Sequence, residues 1–214
     1  MPPRGTRDIL PDEARARWAV VDAARGVFAA YAYGQIMTPT FEETEVFVRG
    51  VGVSTDIVRK EMYTFEDAGG RSLTLRPEGT APVVRAFVEH GMHKLALPVK
   101  LWYLAPMFRY EAPQAGRYRE HTQLGIEAIG SEDPLLDAEA ITVLWDIYRR
   151  LGVPEVWFWR NEAIAVFVLR DGERYEEVQH SECLPGLELL LLTSFLGCIP
   201  VTQAIRAYRA ALRG

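Results

Sequence analysis

The sequence predicts an α+β fold in which an antiparallel sheet is flanked by helices. Three observations carry this. Apolar alternation comes in pairs of short runs parted by turn residues, as in MYTFEDAGGRSLTL (62–75) and the longer stretch LWYLAPMF to TQLGIEAIG (101–130), which is the pattern of hairpins. Helical spacing fills other segments, at about 12–33, 80–90 and 134–151. The two kinds of element do not alternate as regular β-α-β units, and no glycine-rich dinucleotide or P-loop motif is present, which argues against a doubly wound nucleotide fold.

Taken in order, the first helix is set by Pro11 and Asp12 as a start signal and by Trp18, Val21, Phe28 and Tyr31 at helical spacing, with Gly34 placed to end it. QIMTPTFEETEVFVRGVG then gives a short strand, a proline break and a short helix over about 42–49. The first hairpin turns at Asp67–Gly70. Thr80 can cap the next helix, and Pro82 is tolerated in its first turn. Two strands follow around an Arg-rich loop, and then Asp133 and Pro134 open a helix that ends at Gly152. From 153 the character changes. VWFWRNEAIAVFVLRDGERYEEV is strand-like with a turn at Asp171–Gly172, a leucine run follows, and TQAIRAYRAALR reads as an amphipathic helix. The expected organisation is a core over 1–152 and a continuation or insertion of the same domain over 153–214.

Composition narrows the function classes. The chain has 214 residues, is 49% hydrophobic and 25% charged, and can bury a sizeable core without staples. A net charge of −5 excludes an overall basic footprint for nucleic acid, though not a local patch. The two cysteines, Cys183 and Cys198, and the four histidines form no ligand spacing, so no metal site is expected. The N-terminus lacks a signal-peptide apolar run, and LELLLLTSFLGCIPV (187–201) is too short to span a bilayer. No membrane association is expected, and the expected location is cytoplasmic.

The chemistry concentrates in MFRYEAPQAGRYREHTQLGIEAIG (107–130). Arg109, Glu111, Arg117 and Arg119 lie between two strands, where guanidinium forks suit phosphate oxygens and stay charged at any pH. RPEGT (76–80) is a second charged turn after a strand. Gln123 and Glu127 are four apart, so a regular strand turns both to one face. Each residue taken singly has a plainer reading. Arg119 reads as a solvated hairpin charge, Gln114 as a turn residue, Glu127 as a solvent-face charge and Glu78 as a carboxylate favoured near a helix start.

F-R-x-E, then P-Q-x-G-R-Y-R and Q-x-G-x-E, with RPEGT and GTRD (5–8) in the same chain order, resembles the class II aminoacyl-tRNA synthetases, specifically the histidyl-tRNA synthetases. The resemblance is dense over about 4–152. It implies the class II catalytic-core fold in part, with ATP-dependent activation of histidine and its transfer to tRNA(His). By resemblance Arg109 bridges the amino-acid carboxylate and the α-phosphate as the catalytic residue. Glu111 contacts the adenine side of ATP, Arg117 the γ-phosphate, and His121 takes the position that stacks on adenine. Glu78, Gly79, Thr80, Gln123 and Glu127, with Arg109, match the histidine-binding positions. The loop around Gln114 faces the tRNA acceptor end in the family, and the region after the first helix is motif 1, which implies a homodimer.

Departures accompany the match. Ala112 and Ala115 replace two charged positions of the usual E-R-P-Q-K-G. Motif 3, the R-G-x-x-Y-Y signature and an anticodon-binding domain do not occur in the 214 residues, so the expectation is about the first half of a synthetase, with the Mg²⁺ ligands outside this chain. The later segment LLLTSFLGCIPVTQAIRAYRAAL loosely resembles the family's strand and helix after motif 2, which would make about 157–186 an insertion. Two other readings stand beside the synthetase: the histidine-sensing, synthetase-like regulatory subunit of ATP phosphoribosyltransferase, and an inactive paralogue. RPEGT favours the synthetase.

Overall fold

Ten consecutive cross-strand pairs, from Val99↔Ile129 to Phe108↔Glu120, join β5 (Val99–Phe108) to β6 (Glu120–Ile129) in the long antiparallel hairpin that the alternation predicts. The structure is a computed structural model that describes residues 1–51, 61–110, 117–196 and 201–212, without the side chains of 51 and 201. Expectations for Glu111, Ala112, Gln114, Ala115 and Cys198 lie outside the described residues. The chain divides into two units, Met1–Val143 and Leu144–Gly214.

In the first unit, α1 (Pro11–Ala30) begins with proline in its first turn and with Asp12 and Glu13 against the positive end of the helix dipole. It buries Val21, Ala24, Val27 and Phe28, and Phe28 stacks on Trp102 at 5.2 Å between ring centroids. Trp18 lies outside that stripe and is 56% exposed. The helix stops earlier than Gly34. Ala32 takes the left-handed position at φ 60°, Ala32 N–H bonds Ala29 O and Tyr33 N–H bonds Phe28 O, which together close a Schellman motif. Gly34 instead opens β1 (Gly34–Gln35), which pairs in parallel with β5.

A second sheet follows. β2 (Phe41–Glu43) leads into α2 (Thr44–Val51), and β3 (Tyr63–Glu66) and β4 (Ser72–Leu75) form the first hairpin, in the order β2-β4-β3. Asp67 builds its turn by accepting hydrogen bonds from the N–H groups of Gly69 and Arg71, both at 2.9 Å. α3 (Thr80–Glu89) comes next. It meets α2 where a Cβ on Gly50 would come within 2.7 Å of the Ala81 Cβ, so only glycine permits that approach. Val83 of α3 packs with Tyr103, Ala105 and Met107 on one face of β5. Trp102 serves α1 on the other face, so β5 is covered on both sides. Among the described residues the strands form three three-stranded sheets flanked by helices, antiparallel as expected except for the β1–β5 pair.

α4 (Pro134–Arg150) is opened by Asp133, whose carboxylate accepts from Leu135 N–H at 3.0 Å, and is followed by Gly152 at φ +66°. In the second unit, β7 (Glu155–Arg160), β8 (Ala163–Arg170) and β9 (Arg174–Val178) make an antiparallel meander. Its first turn, Asn161–Glu162, has both residues at positive φ, as a type I′ turn requires. Trp145 gathers Phe158, Phe167 and Tyr175 around its ring. The leucine run forms α5 (Leu189–Leu196), and the amphipathic segment forms α6 (Val201–Ala211). Among the described residues no helix is long and apolar enough to cross a membrane.

Arg76 joins three segments of the first unit. Its residue is 5% exposed, and its guanidinium donates to the carbonyls of Pro106 (2.8 Å), Thr38 (3.0 Å) and Pro39 (3.2 Å). Burial pulls this guanidinium below its ordinary pKa, and the Glu42 charge works in the opposite direction. Arg76→Ala would leave three carbonyls without their donor. It is expected to destabilise the protein by about 3 kcal/mol in urea denaturation, and a loss below about 0.5 kcal/mol, the range of ordinary surface substitutions, would remove Arg76 from this role.

Candidate functional site

The segment Arg76–Thr80 leaves β4 and enters α3 along the end of β5. Phe108 N–H bonds Arg76 O at 2.9 Å, and the Arg109 Nε–H bonds Pro77 O at 2.8 Å. Pro77 is fully buried. Arg109 therefore sits half-buried just past the strand end, with its guanidinium anchored to the turn that carries Glu78, Gly79 and Thr80.

Glu78, not Thr80, caps α3. Its two carboxylate oxygens accept from the N–H groups of Thr80 (2.6 Å) and Ala81 (3.0 Å), which places the charge at the positive end of the helix dipole. This frees the Thr80 hydroxyl, which donates instead across to Glu127 Oε1 on β6 at 2.7 Å. Gln123 stands on the same face of β6 as Glu127, and its Nε2 donates to the Tyr103 hydroxyl at 3.0 Å. Gly125 lies between them, directly opposite Tyr103. The sequence-predicted set Glu78, Gly79, Thr80, Gln123 and Glu127 is thus one cluster, and Tyr103 is the member that sequence reasoning missed.

Burial dominates the electrostatics. It raises the Glu127 carboxyl above the ordinary range; the Thr80 hydrogen bond opposes this, and the nearby Glu78 charge adds to it. The Tyr103 phenol is pushed up to about 12, first by burial and then by the charges of Glu127 and Glu78. The carboxylates of Glu78 and Glu127 supply acceptors and negative charge, which suit a ligand that carries N–H groups and positive charge.

The remaining expected residues are arranged differently. Arg117 is exposed and makes an isolated bridge just before β6. Arg119 is not a simple solvated charge. Its guanidinium lies 4.0 Å over the Tyr110 ring, and the Arg119 backbone N–H bonds Gly5 O at 2.7 Å, so the GTRD segment is tied to the hairpin. His121 lines a cavity of about 360 Å³ together with Arg7, Arg17 and Tyr118, and no member of the Glu78–Glu127 cluster lines it. Glu78 and Thr80 line another of about 670 Å³, with Glu43, Arg49 and Val84. No group of three or more His, Cys, Asp or Glu among the described residues could hold a metal ion.

A family model described as histidyl-tRNA synthetase matches residues 5–159. The chain belongs to the histidyl-tRNA synthetase family. A histidine–tRNA ligase from Anoxybacillus flavithermus is 60% identical over 156 residues, covering 72% of this chain and 37% of the relative. Among solved structures, the apo histidyl-tRNA synthetase of S. aureus matches with TM-score 0.62 and 41% identity, over 73% of this chain and 36% of that one. An ATP phosphoribosyltransferase regulatory subunit/histidyl-tRNA synthetase from Bacillus halodurans matches with TM-score 0.61 and 30% identity, over 71% and 38%. The chain therefore spans little more than a third of the length of these histidyl-tRNA synthetase relatives, and the family model ends within β7.

The raised Glu127 carboxyl has a consequence for stability. A carboxyl whose folded pKa lies above its unfolded value stabilises the fold while protonated. That contribution is present below the ordinary carboxylate pKa and is lost as pH rises through the folded value. Glu127→Gln keeps an acceptor for Thr80 and removes the buried charge. The variant is expected to be more stable than the parent at pH 7 and to lose that advantage near pH 4. Melting temperatures across this range test it, and a variant less stable at pH 7 would contradict the assignment.

Proposed function

We propose that these residues form the histidine- and ATP-binding part of a histidine–tRNA ligase. Such an enzyme joins the histidine carboxylate to the α-phosphate of ATP, releases pyrophosphate, and passes the histidyl group to tRNA(His). The observation that carries the reading is the cluster of Glu78, Thr80, Gln123 and Glu127 beside Arg109, since Arg109 is anchored to the same turn that supplies Glu78 and Thr80. The acceptor-rich cluster receives the ammonium and imidazole N–H groups. Arg109 orients the carboxylate and meets the charge that grows on the α-phosphate. Arg117 reaches the γ-phosphate, Glu111 and His121 serve the adenine side, and the loop around Gln114 faces the tRNA acceptor end. The protein's contribution is placement and matched charge; it forms no covalent bond to the substrates. Mg²⁺ bound with the nucleotide supplies further neutralisation of phosphate charge, and no residue of this chain is assigned as its ligand.

A homodimer in the cytoplasm completes the reading. Leu10, Trp18 and Val20 are exposed apolar residues at α1, beside the motif 1 region that pairs subunits in the family. The histidine-sensing regulatory subunit is the competing reading. The 60% identity to a histidine–tRNA ligase, against 30% to the structure named for both, favours the ligase.

Two outcomes test the proposal. The 214-residue chain is expected to bind L-histidine weakly, about millimolar and worth about 4 kcal/mol, in isothermal titration; no heat of binding at concentrations well above that would refute the histidine site. Arg109→Ala is expected to lower histidine-dependent pyrophosphate exchange by about 10² to 10³-fold, in these 214 residues or in any longer chain that contains them, because it removes a clamp on charge formed in the transition state. Unchanged exchange would dismiss the role of Arg109. Histidine binding without exchange in any such chain, with co-purification of a phosphoribosyltransferase, would instead favour the regulatory reading.

A further inference from the structure

Tyr103 stands at the centre of the cluster, and none of the assigned roles includes it. Two glycines fix its ring. A Cβ on Gly79 would come within 2.3 Å of ring atom Cζ, and one on Gly125 within 2.4 Å. Contacts that close do not occur between packed atoms, so the turn before α3 and the middle of β6 both close on the ring because neither carries a side chain there. The residue is 4% exposed and packs with Val83, Ala105 and Met107. Its hydroxyl is thereby held in one place, accepting from Gln123 Nε2 at 3.0 Å.

The direction of that hydrogen bond follows from the neighbours. The hydroxyl also hydrogen-bonds the Thr80 side chain, and Thr80 gives its own proton to Glu127 at 2.7 Å. Thr80 can therefore only accept from the phenol, whose lone pair is what remains for Gln123. Gln123 must then present its NH₂ to Tyr103 and its carbonyl oxygen away from it. The opposite amide orientation would require the phenol to turn its proton away from Thr80.

We infer that Tyr103 is a positioning residue that selects one orientation of the Gln123 amide, so that the pocket offers a carbonyl acceptor to an N–H group of the amino-acid ligand. The inference rests on the histidine reading above. It makes Tyr103 and Gln123 one functional unit: removing the hydroxyl acts on the ligand only through the amide.

A double-mutant cycle tests it on the 214-residue chain with L-histidine as the titrant. Tyr103→Phe keeps the ring that the two glycines hold and removes the hydroxyl. It is expected to weaken histidine binding about tenfold, as loss of one oriented hydrogen bond does. Gln123→Ala is expected to weaken binding at least as much. In the Gln123→Ala background, adding Tyr103→Phe is expected to change the dissociation constant less than twofold. A merely structural role for the hydroxyl would give additive losses, and that result would overturn the inference, as would Tyr103→Phe binding within twofold of the parent. Absence of histidine binding by the unsubstituted chain is a distinct result: it overturns the histidine reading, and this inference with it.

Discussion

The buried guanidinium of Arg76 holds together the segments on which the site is built. Its donors end on carbonyls at Thr38, Pro39 and Pro106, while its own backbone bonds Thr40 O and Phe108 N–H. One residue thus fixes the loop before β2, the end of β5 and the start of the turn into α3. Everything specific to the site follows within four residues. Pro77 O anchors Arg109, Glu78 caps α3, Gly79 admits the Tyr103 ring, and Thr80 reaches Glu127. A buried cation satisfied by carbonyls is stable only when the geometry is closely met, so the clamp also limits how far the turn can move.

The same arrangement places a carboxyl of the site under an electrostatic strain that exposed carboxylates of the first unit lack. Exposed pairs such as Arg7–Glu13 and Arg71–Asp67 lower their carboxylates by direct hydrogen bonding in solvent. Glu127 is shifted the other way, because burial outweighs its single hydrogen bond from Thr80. Glu127 and Tyr103, both shifted upward by burial, would be drawn back toward their ordinary values by a positively charged ligand.

Local chemistry was legible in the sequence, and tertiary substitution of roles was not. The β5–β6 hairpin, the Asp67–Gly70 turn and the Asp133-capped α4 follow from period-2 alternation and from turn and cap residues, which act within a few positions. The joint face of Gln123 and Glu127 followed from the same period. The helix stop at Ala32 did not, because a Schellman closure stabilised by Tyr33 and Phe28 outweighs the preference for glycine at that position. Nor did the exchange of roles between Glu78 and Thr80: either can cap a helix, and the partner that claims Thr80 is 47 residues away. The Asn161–Glu162 turn lacks the glycine that marks such turns. Nothing in the run LWYLAPMF singles out Tyr103, since its meaning depends on a cross-strand register that is set by the fold.

Precision is distributed unevenly across the site, in a way that matches what each proposed ligand group would need. Glu78, Thr80, Tyr103, Gln123 and Glu127 sit on a helix start and two paired strands, and each is held by a named hydrogen bond or by packing. Discriminating one amino-acid side chain requires that rigidity, because a hydrogen-bonded pocket rejects wrong ligands by leaving its own buried groups unpaired. Arg117, by contrast, is exposed, on the far side of the loop from Arg109. Phosphate oxygens are many and equivalent, and a long, always-charged guanidinium can meet them from several positions. Arg109 belongs with the rigid set, because its Nε is fixed to Pro77 O. It is also the residue proposed to meet the reacting carboxylate and α-phosphate, where small displacements would have the largest effect on rate.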